Sequence, residues 1–232
     1  MTAIDGEASS ARLAGDLLAL ARLYAPPSPL TDPLAIIVWD NVGYLIADNR
    51  REALFNELVD RVGLSAEALV AAPYEVLFDI AQRGGMRPEV RVERLRAIGK
   101  LTLDAGGDLA AALRTAGPAK ARALLKRFPT IADPGADKIL LFSGLEVRPA
   151  LESNGVRALV RLGHAVEGKS YANAYKNAIT ALGDLGPPDR DRLIAAYQLL
   201  RAHGQTLCKR TAPLCLSCPL DDACAHVPTQ GL

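Results

Sequence analysis

The four cysteines of the chain, Cys208, Cys215, Cys218 and Cys224, share one short segment with the spacing C-x6-C-x2-C-x5-C, and there is no fifth. Thiolates are soft ligands, and four on one loop can wrap an iron-sulfur cube or a single zinc ion. Structural zinc sites usually pair two short C-x2-4-C hooks, whereas here only Cys215 and Cys218 form one. The first ten residues include Asp5 and Glu7 and lack the basic region and apolar run of a secretory signal. A cytoplasmic location is therefore expected, where clustered thiols more often bind metal than form disulfides.

The run His203-Gly204-Gln205-Thr206-Leu207-Cys208, continuing through Lys209-Arg210 to Cys224, resembles the C-terminal cluster loop of the helix-hairpin-helix DNA glycosylases related to endonuclease III. The resemblance implies a structural 4Fe-4S cluster on the four cysteines, with Lys209 and Arg210 touching DNA phosphates. Phe128-Pro129-Thr130-Ile131-Ala132-Asp133-Pro134-Gly135-Ala136 falls on the family's hairpin, which typically reads Leu-Pro-Gly-Val-Gly. Both hairpin glycines are replaced, by Thr130 and Ala132, so a close backbone approach to phosphate is less secure through Thr130, Ala132, Pro134 and Gly135.

Bifunctional members carry a lysine at the position of Pro134, whose amine attacks the sugar C1′. Proline has no such amine, and the resemblance therefore implies a monofunctional enzyme. The family's catalytic aspartate falls on Glu152, which keeps the carboxylate and adds a methylene. Breaking an N-glycosidic bond creates a cationic sugar that a carboxylate can stabilise, or against which it can activate water. A carboxylate at the start of a helix running to Leu162 would also serve as a cap. Lys138, one helical turn after Pro134, could act as a substitute nucleophile in a weak lyase, or sit in an ion pair or against a phosphate.

An enzyme of this kind must flip a base out of the duplex and fill the gap. The run 42–48 occupies the place of the family's Leu-Ser-Ala-Gln-x-x-Asp segment, with Leu45 where the space-filling glutamine stands and Asp48 matching. Met86, in Arg83-Gly84-Gly85-Met86-Arg87, falls near the intercalating leucine. Leu45, Tyr44 and Met86 are thus candidate wedges or ordinary core residues, and Asn41 and Trp39 candidate lining of a base pocket.

Residues 81–127 hold eleven basic side chains, Arg83 and Arg87 among them, against four acidic ones, a surplus suited to phosphates or simply to solvated helix faces. The whole chain carries a net charge of only +1, which argues mildly against DNA binding. Abundant Ala and Leu and few aromatics predict an all-α protein. The expected helices are Ser10–Leu23, Leu34–Tyr44, Arg50–Val62, Ser65–Ala71, Pro73–Ala81, Pro88–Ala105, Asp108–Ala116, Pro118–Lys126, Pro134–Phe142, Ser153–Leu162, Ser170–Leu182 and Asp189–Gly204. No apolar run is long enough to span a bilayer.

By analogy with the family, residues 32–146 form a six-helix barrel domain with the hairpin. Residues 1–31 and 147–232 form a discontinuous domain with the cluster loop, and DNA lies across the cleft between the two. The expected function is a DNA base-excision glycosylase, a monomer acting on double-stranded DNA with a damaged or mismatched base. A non-catalytic damage-binding protein on the same scaffold is the alternative.

Overall fold

The computed structural model describes residues 3–226, with side chains from Ala8 onward. The first two and last six residues of the expected discontinuous domain lie outside the described residues. The helices are α1 (Ala3–Leu23), α2 (Pro33–Val42), α3 (Asp48–Arg61), α4 (Ala66–Ala71), α5 (Tyr74–Arg83), α6 (Pro88–Asp104), α7 (Leu109–Leu125), α8 (Asp133–Phe142), α9 (Ser153–Arg161), α10 (Tyr171–Gly183) and α11 (Arg190–Thr206). A 3-10 turn spans Cys215–Ser217, and no strand occurs among the described residues. The fold is all-α.

Local chemistry sets the boundaries. Asp32, Ser65, Asp108, Ser170 and Asp189 each accept a hydrogen bond from the third residue on, satisfying an N–H that the first turn leaves without a helical partner. The two helices expected on either side of Gly117 are both present within α7, parted by a kink at that residue. Gly117 takes φ 72°, ψ 166°, which breaks the hydrogen-bond ladder, and Pro118 opens the next turn.

Contacts divide the chain into two units, Met1–Pro29 with Val147–Leu232, and Leu30–Glu146. In the second unit α2 packs against α3, α6, α7 and α8. Leu34 to Val38 and Val42 are all buried, as a helix enclosed by others requires. Gly99 of α6 lies under α4, where an added Cβ would meet the Ala66 carbonyl at 2.7 Å. The first unit gathers Leu13, Leu20, Leu159, Leu162, Leu182 and Leu200 from α1, α9, α10 and α11 around one core. Gly204 near the end of α11 allows close contact with α9, since a Cβ there would fall 2.6 Å from the Asn154 carbonyl. That approach brings the start of the cysteine loop to α9.

Candidate functional site

Leu151 is fully buried just before α9, and Val156 and Leu159 anchor the same helix in the core. Glu152, between these anchors, is half-buried at the N-cap. Its Oε1 accepts from the Gly155 N–H at 2.9 Å and its Oε2 from Asn154 Nδ2 at 2.8 Å. The Asn154 Oδ1 in turn accepts from Arg157 Nη2 at 2.7 Å, and Arg157 also donates to the carbonyls of Gly204 (2.6 Å) and Cys208 (3.0 Å). Burial draws the Arg157 pKa down. The carboxylate thus caps the helix and is held by a chain of donors that ends on the cysteine loop. A carboxylate has about four acceptor positions, so two bonds leave it capacity for a further donor. Tyr171, at the start of α10, has its hydroxyl pKa pushed up to about 12 by burial and, secondarily, by the charge of Glu152. A groove of about 550 Å³ runs beside these groups, lined in part by Ser153, Arg157, Arg161, Tyr171, Arg210 and His226.

Arg161, one turn beyond Arg157, donates to the Cys208 Sγ (3.6 Å) and to the carbonyls of Lys209 (2.6 Å) and Arg210 (3.2 Å). The backbone of Lys209 and Arg210 is therefore fixed while both side chains stay exposed. The buried His203 lies with Nε2 3.9 Å from the Cys218 Sγ, and its Nδ1 is 3.4 Å from the Tyr24 hydroxyl. Cys224 donates to the Arg161 carbonyl at 3.3 Å. Burial pushes the Cys218 thiol pKa up, and nearby Cys224 and Cys208 add to the shift.

Among the described residues, no group of three or more His, Cys, Asp or Glu side chains is placed to hold a metal ion. The donor set nevertheless suits a cluster: four free, half-buried thiols on one loop, with a guanidinium and an imidazole directed at two of the sulfurs. A cube takes one thiolate at each corner, spacing its ligands more widely than a single ion does.

The turn at residues 128–132 forms without glycine, with Ile131 N donating to the Phe128 carbonyl at 3.2 Å. Thr130 adopts φ 66°, a region that favours glycine, whereas Ala132 is extended at the N-cap of α8 and needs none. Asn41, expected in a base pocket, is instead buried under this turn. Its Nδ2 donates to Pro129 O at 3.2 Å, and its Oδ1 accepts from Thr130 Oγ1 at 3.3 Å. Thr130 and Ala132 are exposed, and Pro134 and Gly135 lie half-buried in the first turn of α8. Trp39 packs edge-on against Phe55, with centroids 5.5 Å apart. Lys138 is buried, its Nζ 2.7 and 2.5 Å from the two carboxylate oxygens of Asp40, so its amine is held in an ion pair.

Leu45 (79% exposed), Met86 (67%) and Tyr44 (55%) are not core residues. Their two turns meet, with Tyr44 N donating to the Gly84 carbonyl at 2.8 Å.

Five of the eleven basic side chains in 81–127 are engaged within the fold. Arg83 bonds Glu57 and Asp79, Arg122 pairs with Asp137 and Glu146, and Lys126 pairs with Asp133. Arg91 and Arg96 donate to main-chain carbonyls. Every one of those acids lies outside residues 81–127, so a count within that window could not register them. Arg83 is thus an ion-paired side chain, whereas Arg87 is exposed. The sequence reading also passed over Asn154, Arg157 and Arg161. The i, i+4 spacing of the two arginines on α9 was the available signal.

No protein-family model matches the chain, and no curated protein matches it in sequence. Solved structures do match. A trapped covalent intermediate of endonuclease III with DNA, an estranged-adenine complex, is 17% identical, with 94% of this chain and 96% of that one covered at a TM-score of 0.72. A non-covalent endonuclease III–DNA complex is 16% identical, covering 94% and 95% at 0.71. A thermostable thymine-DNA glycosylase is 14% identical, covering 95% and 97% at 0.74. No helix among the described residues is long and apolar enough to cross a membrane. Over 94–95% of its length, the chain shares the helical fold of these endonuclease III and thymine-DNA glycosylase structures.

Proposed function

We propose that this chain is a monofunctional DNA glycosylase that removes a damaged or mismatched base from double-stranded DNA. The observation that carries the reading is Glu152, a carboxylate oriented by two donors at the start of α9, on a scaffold shared with enzymes of that chemistry. As the bond from C1′ to the base breaks, its electron pair leaves with the base and positive charge develops on the sugar. The ionised Glu152 stabilises that charge and accepts a proton from the water that adds at C1′. Pro134 offers no amine for strand cleavage, and the Lys138 amine is held by Asp40, which speaks against the weak lyase.

Cys208, Cys215, Cys218 and Cys224 would hold a 4Fe-4S cluster, whose contribution is to fix the loop on which Lys209 and Arg210 stand. Those two residues, Arg87 and the amides of the turn from Thr130 to Gly135 are the expected phosphate contacts. Leu45 and Met86, both exposed, are the expected wedge side chains, with Tyr44 beside them.

The test is a glycosylase assay of iron-loaded protein on duplexes carrying oxidised pyrimidine, uracil, alkylated purine or mismatched bases, read with and without alkali. Strand breaks should appear only after alkali, should vanish in Glu152→Gln, and should be accompanied by no borohydride-trapped complex. Tight binding to damaged duplex without release of any base would instead identify a non-catalytic damage-binding protein.

A further inference from the structure

The 83–87 turn, which carries the exposed Met86, is held by an arginine that charge counting alone would assign to the DNA-facing surface. Arg91 of α6 is 5% exposed. Its Nη1 donates to the carbonyls of Ala81 (2.9 Å) and Gly85 (3.4 Å), and its Nη2 to that of Met86 (3.2 Å). Its burial lowers its pKa, and the nearby Arg94 and Arg51 add to the effect. Burying a guanidinium costs free energy that its hydrogen bonds to three carbonyls offset, and the planar fork thereby fixes those carbonyls relative to one another.

That geometry is tight on both sides. A Cβ on Gly84 would fall 2.3 Å from the Val42 carbonyl, and one on Gly85 2.5 Å from the Tyr44 carbonyl. Gly85 sits at φ 105°, Leu45 at 53° and Arg87 at 57°, so the backbone is constrained at both tips. Arg51 grips the other turn, donating from Nη1 to Trp39 O (3.1 Å) and Gly43 O (2.8 Å). Leu45 and Met86 stand out from this braced pair into solvent. An apolar side chain that forces base pairs apart must not fold back onto its own loop, so stiffness of the support matters as much as the side chain.

We propose that Arg91 is a positioning residue that holds the 83–87 turn in the shape that lets the Gly84 carbonyl accept from Tyr44 N, so that Leu45 and Met86 enter a base stack together as one rigid apolar wedge. The proposal rests on the reading that the chain extrudes a base from duplex DNA. Neither tip carries a conventional hydrogen-bonding group, so the wedge fills the gap rather than reading the base across from it.

Double-mutant cycles on the full chain test this, using a duplex with a tetrahydrofuran abasic analogue and 2-aminopurine in the facing strand. The readouts are the fluorescence rise on binding, the affinity for undamaged duplex and the thermal midpoint. L45A and M86A should each weaken the unstacking equilibrium by about tenfold, and the double variant should lose little more than either alone. R91K should lose a similar factor, because one ammonium cannot hold three carbonyls as a fork does. In an M86A background R91K should cost almost nothing further, with affinity for undamaged duplex changed by less than about twofold.

A merely structural Arg91 predicts the opposite: independent, additive losses and equal weakening on both duplexes, which would overturn the proposal while leaving base extrusion intact. If R91K does not fold, the cycle between the two exposed tips decides alone, and additivity there rejects the single wedge. If the wild type itself gives no fluorescence rise, the tips do not enter the stack at the lesion and the proposal falls, while base extrusion is judged by the glycosylase assay.

Discussion

At Thr130 a β-branched residue holds φ 66° in the hairpin turn, where the family typically has glycine. For an L-residue this region costs roughly 1–2 kcal/mol. The compensation is small: a 3.3 Å hydrogen bond from Oγ1 to the buried Asn41, which also holds the turn through Pro129 O. Thr130→Gly relieves the backbone strain, gives up that bond, and pays roughly 0.5–1 kcal/mol for the greater freedom of glycine in the unfolded chain. The terms nearly cancel, so the expected change in stability is less than about 0.5 kcal/mol in either direction, with tighter binding to DNA as the amides approach a phosphate more closely. Urea unfolding and a binding titration check both parts. A variant less stable than the parent by a full kcal/mol would mean that the Asn41 bond outweighs the strain.

At the scale of the element, α9 carries both the candidate catalytic carboxylate and the anchor of the cysteine loop. Asn154→Ala cuts the link between them: Glu152 keeps the Gly155 N–H but loses the donor on its other oxygen, and Arg157 loses an acceptor. A misplacement of about 1 Å can cost on the order of 100-fold in rate, so kcat should fall by up to that factor with KM little changed. A rise in KM at constant kcat would show that Asn154 serves DNA binding instead. The helix itself was legible in the sequence, as was the break at Gly117, because each depends on residues a few positions apart. The far end of the donor chain was not, since Arg157 reaches the carbonyls of Gly204 and Cys208 only when Gly204 lets α11 approach α9. Arg83 failed as a DNA-facing cation for the same reason: its partner Glu57 is a neighbour in space and distant in sequence.

At the scale of the whole molecule, the shifted titrations divide between the two units. His164 and His203 belong to the first unit, and burial lowers both pKa values below the ordinary 6.5. For His164 the geometry agrees: Nε2 is 2.6 Å from Asp16 Oδ2 and Nδ1 is 3.3 Å from Arg12 Nη2, which suits a neutral ring that donates to the acid and accepts from the guanidinium. A histidine with a depressed folded pKa takes up its proton more readily when unfolded. Its stabilising contribution is therefore complete above about pH 6.5 and is lost as pH falls from there towards the folded value. In the second unit the lowered carboxylates are Glu57 and Asp79, held down first by bonding to Arg83 and Arg61 respectively. Their contribution is complete above their ordinary values of 4.5 and 3.8 and is lost only below them, and because both are largely solvated it is small. Acidification from pH 7.5 to 5.5 should therefore weaken the first unit while leaving the second almost untouched. Arg12, which also donates to the carbonyls of Leu162 (3.0 Å) and Ala223 (3.3 Å), ties that loss to the end of the cysteine loop. Hydrogen exchange read by segment should show α1, α9 and residues 208–224 losing protection before α2, α6 and α8, and His164→Gln should flatten the pH dependence of the first group. Equal loss in both units, or earlier loss in the second, would mean that the buried histidines do not govern acid stability.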